Sequence, residues 1–93
     1  MTQNKIARNP LVYAAQIRAA RGLLNWSQGE LAERAGVSKQ SVTRIEIGAT
    51  DPRFSTMAAL NESLLFAGVK ITMDTDGIVQ LSISREKLLP PSD

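Results

Sequence analysis

Apolar residues recur every three or four positions through the first two thirds of this 93-residue chain, and alternate with polar residues near its end. The first spacing predicts amphipathic helices, and strict alternation predicts strands. The sequence therefore predicts a mainly α protein with four helices and a C-terminal β-hairpin. The helices are expected at about 10–24, 28–35, 39–47 and 55–66.

Two serines mark the starts of the second and third helices. Ser27 is followed three residues later by Glu30, which predicts a capping box, and Ser38 precedes the third helix in the same way. Gly36 lies between the two helices and can take the left-handed conformation of a tight turn. Small or apolar residues stand where such a helix pair must touch: Leu31, Ala32, Ala35, Val37, Val42 and Ile45. This is the sequence form of a helix-turn-helix, a unit that lays its second helix in the DNA major groove.

Residues 69–84 alternate with period two around Asp76-Gly77, which predicts a hairpin. A three-residue loop at 75–77 matches apolar with apolar positions and puts Gly77 in a left-handed bulge. The resulting pairs are Met73 with Val79, Ile71 with Leu81, and Val69 with Ile83.

A two-stranded hairpin is marginally stable alone, so we expect this one to pack on the fourth helix and to join its copy in a second chain. The alternative is a hairpin that folds back on its own domain only. The predicted dimer interface comprises Leu65, Phe66, Val69, Ile71, Met73, Val79, Leu81 and Ile83.

Composition argues against catalysis. The chain has no cysteine and no histidine, so thiol nucleophiles, imidazole bases and the usual zinc sites are absent, and we expect neither an enzyme nor a bound cofactor or metal. The acidic run at 74–77 resembles the opening of a calcium loop but lacks the later acidic ligand, which favours a turn. No apolar run is long enough for a membrane span or a signal peptide, which predicts a cytoplasmic protein without a membrane partner.

Charge is unevenly distributed along the chain. The net charge is +2, but residues 1–48 carry seven basic and three acidic groups, whereas residues 49–93 carry four basic and six acidic groups. The half that contains the predicted helix-turn-helix is thus the basic half, as binding to phosphate requires.

The stretch from Ile17 to Val69 resembles the Cro and phage-repressor family, also called the xenobiotic-response-element type. The resemblance rests on IRAAR, WSQGELAERAGVSKQSVTRIEIG and DPRFSTMAAL. It implies a lambda-repressor-like helix-turn-helix domain of four helices at 9–68, without the fifth helix usual in the family. The hairpin at 69–84 then follows as a dimerisation element. Residues 1–8 are predicted to form a flexible arm before the domain, and residues 85–93 a flexible tail after the hairpin.

In that family, the residues that open the third helix enter the major groove. The resemblance therefore implies base reading by Lys39, Gln40 and Ser41, with Arg44 one turn later. Positions 40, 41 and 44 share one helical face. Glutamine can bond adenine and arginine can bond guanine through two hydrogen bonds each. The alternative for Arg44 is a solvated surface arginine.

The resemblance also implies contacts to the DNA backbone. Gln28 begins the second helix, where family members bind a phosphate. The other candidate phosphate ligands are Ser27, Ser38, Thr43 and Arg53, of which the serines also serve as caps and Arg53 has the alternative of a solvated residue. Arg21 and Glu46 stand at positions that form a structural ion pair in related repressors, so we expect them to tie the first helix to the third.

Together these features predict a DNA-binding transcriptional regulator, a homodimeric repressor that reads a palindromic operator in double-stranded DNA. The alternative is an antitoxin that binds a toxin protein and represses its own operon. It is suggested by a looser resemblance to antitoxins in which a strand after the fourth helix joins two subunits.

Overall fold

A computed structural model describes residues 9–88 of the chain. Its elements are α1 (Pro10–Leu24), α2 (Gln28–Ala35), α3 (Lys39–Glu46), α4 (Phe54–Phe66), β1 (Val69–Met73), β2 (Val79–Ile83) and α5 (Arg85–Leu88). The predicted fold class, four helices followed by a hairpin, is confirmed. The arm at 1–8 lies outside the described residues, as do residues 89–93, and the tail begins with the single helical turn α5.

Both predicted serine caps are present. The hydroxyl oxygens of Ser27 and Ser38 each accept a hydrogen bond from the backbone amide three residues later, at 3.0 Å. The carboxylate of Glu30, which was expected to close a capping box, accepts a hydrogen bond from Arg34 at 3.1 Å. Gly36 ends α2 with a φ of 72°, the left-handed conformation that the turn requires. Local sequence thus sets where α2 and α3 begin.

The core draws apolar side chains from α1, α2, α3, α4 and β1. Its fully buried large members are Ile17, Leu31, Val42, Leu60, Leu64 and Val69. Trp26 packs against this core from the α1–α2 turn, and the Arg34 guanidinium lies over its indole ring, 4.4 Å from the centroid. Burying the apolar faces of α2 and α3 in this way fixes the helix pair to α1 and α4. Within residues 9–88, no helix has both the length and the apolar character needed to cross a membrane.

The hairpin has the predicted register. Its strands pair antiparallel, with Val69 opposite Ile83, Ile71 opposite Leu81, and Met73 opposite Val79. Gly77 has a φ of 82°, as the predicted bulge requires. The carboxylate of Asp74 accepts hydrogen bonds from the amides of Asp76 and Ile78, both at 2.9 Å. The acidic run therefore stabilises a turn.

The hairpin packs on its own domain through α1 and α4. Val69 is only 1% exposed and belongs to the core, so it has no surface left for a second chain. Ile71, Leu81 and Ile83 are half-buried against that core. The predicted interface therefore needs correction at Val69, because the strand starts directly beneath α4. Leu65 and Phe66, by contrast, are 58% and 78% exposed.

Candidate nucleic-acid interface

The outward side of α3 carries the four predicted base-reading side chains. Lys39, Gln40 and Arg44 are exposed, and Ser41 is half-buried. The opposite side of the helix is anchored in the core by Val42 and Ile45. This division follows the 3.6-residue period of the sequence, and it presents polar groups on a helix whose position is fixed by packing.

A cleft of about 470 Å³ separates the end of α3 from the start of α4. Arg44 and Arg53 both line it, and so do Ser41 and Thr56. The structure thus brings the predicted backbone contact Arg53 to the same side of the molecule as the predicted base reader Arg44. Asp51 lines the cleft as well, so two guanidinium groups against one carboxylate leave this surface with a net positive charge, which suits a phosphate-bearing partner.

Arg21 and Glu46 form an ion pair that ties α1 to the end of α3. The Arg21 Nε donates to Glu46 Oε2 at 2.6 Å, and Nη2 donates to Oε1 at 2.8 Å. The third nitrogen, Nη1, donates to the carbonyl oxygen of Trp26 at 2.8 Å. Arg18 adds a hydrogen bond from Nη1 to the carbonyl oxygen of Glu46. Arg21 is therefore turned inward to the fold, whereas Arg18 reaches the end of α3 from an exposed position.

The Glu46 carboxylate is buried yet ionised. Its side chain is 3% exposed, against 22% for Arg21. Burial raises the pKa of Glu46, but hydrogen bonds from Arg21 and Gln28, with the charges of Arg21 and Arg18, outweigh it and leave the pKa below its ordinary value. The hydrogen bond to Glu46 raises the pKa of Arg21 against the opposing effect of burial. The pair therefore stays charged.

Gln28 joins this ion pair to α3 through both ends of its side-chain amide. Its Nε2 donates to Glu46 Oε1 at 3.0 Å, and its Oε1 accepts from the Thr43 hydroxyl at 2.8 Å. Sequence reasoning treated Gln28 and Thr43 as separate phosphate ligands and missed this contact. The available signal was the three-residue spacing of Thr43 and Glu46, which places both on one side of α3.

The three predicted phosphate ligands with a hydroxyl group differ in whether their hydroxyl hydrogen is still available to a phosphate. The single hydroxyl hydrogen of Thr43 goes to Gln28, and that of Ser38 goes to the Ser41 hydroxyl oxygen at 2.8 Å. A phosphate oxygen only accepts hydrogen bonds, so neither group can serve it while these bonds are kept. In the described part of the chain, Ser27 uses its hydroxyl as an acceptor, for the amide of Glu30. These bonds count against Ser38 and Thr43 as phosphate donors and leave the predictions for Ser27, Gln28 and Arg53 unchanged.

Comparison with known families identifies the helix-turn-helix together with parts of the two helices that flank it. A helix-turn-helix family model of the Cro/C1 type matches residues 17–64, more than half of the chain. The chain belongs to the helix-turn-helix family. The family is one of DNA-binding regulators, which confirms the predicted resemblance. No curated protein matches the sequence.

The matched region of this helix-turn-helix protein contains α2 and α3 whole and ends within α4, so the hairpin lies outside it. The match supports a DNA-binding transcriptional regulator. Among residues 9–88, no three acidic side chains come together where they could hold a metal ion. The polar groups that the fold gathers on α3 and beside α4 form the candidate DNA-binding surface.

Proposed function

We propose that this helix-turn-helix protein is a cytoplasmic, sequence-specific transcriptional repressor that binds a palindromic operator as a homodimer. The observation that carries the proposal is the outward face of α3, where Lys39, Gln40 and Arg44 are exposed on a helix anchored by buried apolar residues. The family match supports the DNA-binding part of the proposal.

Base reading falls to the polar side of α3. The Gln40 amide carries a donor and an acceptor that match adenine, and the Arg44 guanidinium carries two donors that match guanine. Each such pair discriminates against a wrong base by about 1–3 kcal/mol. Lys39 and Ser41 add single contacts at the start of the helix.

Backbone contacts come from the two sides of α3. Gln28 and Ser27 lie at the start of α2, and Arg53 lies in front of α4, beside Arg44. Contacts to phosphate on both sides would hold the helix in register in the groove without reading sequence.

The proposed dimer uses the exposed apolar surface at the end of α4 and along the hairpin. Leu65 and Phe66 are largely exposed, and Met73 at the end of β1 is 37% exposed. The hairpin is a two-stranded sheet, which leaves an outer edge on each strand for pairing with another chain. A two-fold axis here would relate two α3 helices, which must lie about 34 Å apart to read adjacent half-sites.

The test of DNA binding is a gel shift with the duplex that lies upstream of the gene and a shuffled duplex of equal composition. The wild-type protein should prefer the natural duplex, and Arg44→Ala should reduce that preference about tenfold. Lys70→Ala removes the same charge from β1 and should leave the preference intact. Equal affinity of the wild-type protein for both duplexes would refute sequence-specific binding.

Dimerisation is tested by sedimentation at micromolar concentration. We expect a dimer for the wild-type protein and a monomer for Phe66→Asp. Leu11→Asp places the same charge on another exposed apolar residue, in α1, and should leave the dimer intact. A monomeric wild-type protein would contradict the proposed assembly.

A second candidate is an antitoxin that binds a toxin protein and represses its own operon. The same exposed Leu65 and Phe66 favour it, because an apolar patch on a small domain is suited to a protein partner. Expression together with the neighbouring genes decides the matter. A stoichiometric complex that Phe66→Asp disrupts would support the antitoxin, and a homodimer that purifies alone would support the repressor.

A further inference from the structure

One oxygen of the buried Glu46 carboxylate serves two elements at once. Glu46 Oε1 accepts from Arg21 Nη2 at 2.8 Å and from Gln28 Nε2 at 3.0 Å. The other end of the Gln28 amide accepts from the Thr43 hydroxyl at 2.8 Å. A continuous hydrogen-bonded chain therefore runs from α1 through the end of α3 to the first residue of α2.

This chain permits only one orientation of the Gln28 amide. An ionised carboxylate has no hydrogen to donate, so the group facing Glu46 must be the NH₂ end. The Thr43 hydroxyl in turn donates to the carbonyl end. A flipped amide would set two acceptor oxygens against each other beside Glu46 and lose that hydrogen bond, whereas the Thr43 hydroxyl could still pair by accepting from the NH₂ end.

The fixed orientation determines what Gln28 can offer a ligand. The amide nitrogen carries two hydrogens and gives one to Glu46. The other hydrogen is held in a set direction at the start of α2. A partner at this point must therefore present an acceptor, as a phosphate oxygen does.

We propose that Glu46 and Thr43 are positioning residues, which hold the Gln28 amide so that its second hydrogen is presented to a DNA phosphate. The inference rests on the proposed function and deepens it. Thr43 then acts through Gln28 and does not touch DNA itself. A donor that is already oriented loses less side-chain freedom on binding than a freely rotating glutamine.

The test is a double-mutant cycle on DNA affinity with Gln28→Ala and Thr43→Val. Gln28→Ala should weaken binding to natural and shuffled duplexes alike by about tenfold, as expected for one hydrogen bond to a charged group. Thr43→Val keeps the shape of the side chain and removes the hydroxyl, and it should weaken binding about threefold. In the Gln28→Ala background, Thr43→Val should have no further effect.

Two variants serve as controls. Thr43→Ser keeps the hydroxyl and should retain wild-type affinity, and Thr72→Val makes the matched change on β1 and should have no effect. Additive losses in the double variant would overturn the inference, because Thr43 would then contact DNA directly. An unchanged affinity of Thr43→Val alone would overturn it as well.

A measurement without DNA separates this inference from the proposed function. The NMR signals of the Gln28 side-chain NH₂ should show slowed hydrogen exchange in the wild-type protein and faster exchange in Thr43→Val and Glu46→Gln. Slow exchange in a protein that binds no duplex would refute the proposed function and leave the network intact. Fast exchange in a protein that binds DNA would refute the network alone.

Discussion

The helix-turn-helix unit and the hairpin pack on the same apolar core, but the helix-turn-helix unit is attached to it by a buried charge network as well. The pair α2–α3 is held by its buried apolar faces and also by buried charge: Glu46 accepts hydrogen bonds from Arg21 and Gln28, and Arg21 donates to the carbonyl oxygen of Trp26. The hairpin is held by strand pairing and by apolar contacts of Val69 and its neighbours.

This difference separates two functional demands. Directional hydrogen bonds fix both the position and the orientation of groups, which suits a surface that must match the pattern of a DNA groove. Apolar packing holds a segment without fixing polar directions. Leu65 and Phe66, at the end of α4 just before the hairpin, are exposed. An apolar contact with a second chain depends less on the orientation of individual groups than hydrogen bonds to DNA do.

The largest expected effect comes from breaking the buried charge. Glu46→Ala should lower the free energy of unfolding by about 3–5 kcal/mol, because it leaves Arg21 inward-facing and without its carboxylate. Denaturant titration followed by circular dichroism measures the change. Glu33→Ala removes an exposed glutamate from α2 and should change stability by less than about 0.5 kcal/mol. Similar small losses for both variants would mean that the pair does not hold α1 to α3.

The apolar anchor of the hairpin should rank next. Val69→Ala removes two buried methyl groups and should cost about 2 kcal/mol in the same titration. Lys70→Ala, at the adjacent exposed position, is the control and should be nearly neutral. A neutral Val69→Ala would show that the hairpin is not anchored to the domain at this residue.

Acid should destabilise the protein by protonating Glu46 and so weakening its ion pair with Arg21. The folded-state pKa of Glu46 is lowered, so its contribution is fully present above the unfolded pKa of about 4.3 and is lost as the pH falls through the folded value. Unfolding midpoints between pH 7 and 3 should therefore fall more steeply for the wild-type protein than for Glu46→Gln. Parallel curves for the two proteins would contradict the lowered pKa.

The smallest expected effect comes from the turn between α2 and α3. Gly36 has a φ of 72° and open space at its missing Cβ position, so Gly36→Ala should cost about 1 kcal/mol through backbone strain alone. Gly22 lies within α1 with equally open space, and Gly22→Ala should gain about 0.5–1 kcal/mol. Thermal melts should show a lower melting temperature for Gly36→Ala and a higher one for Gly22→Ala. A stabilising Gly36→Ala would contradict the left-handed turn.

The features that sequence predicted well depend on short segments. The serine caps need only a few consecutive residues, and the register of the hairpin follows from matching Ile71 and Leu81 across a short loop. Gly77 in its left-handed conformation follows from the same loop length. In such cases the sequence spacing determines the geometry directly.

The features that sequence missed depend on how separate elements meet. Gln28 lies 15 residues from Thr43 and 18 from Glu46, so their contacts require the angle between α2 and α3. Val69 was assigned to a dimer interface because it alternates with the other strand residues. The turn at Gly68, with a φ of 110°, instead brings the start of β1 directly under α4. Burial at that point is a property of the assembled core.

The contacts around Trp26 make the protein its own optical probe. Trp26 is the only tryptophan in the chain, its ring is covered by Arg34, and its carbonyl oxygen is bonded to Arg21. Fluorescence excited selectively at Trp26 therefore reports the state of the helix-turn-helix unit, whereas Tyr13 lines a cleft with β1 of the hairpin. Comparing fluorescence with far-ultraviolet circular dichroism in one melt reveals whether the two regions unfold as a single cooperative unit.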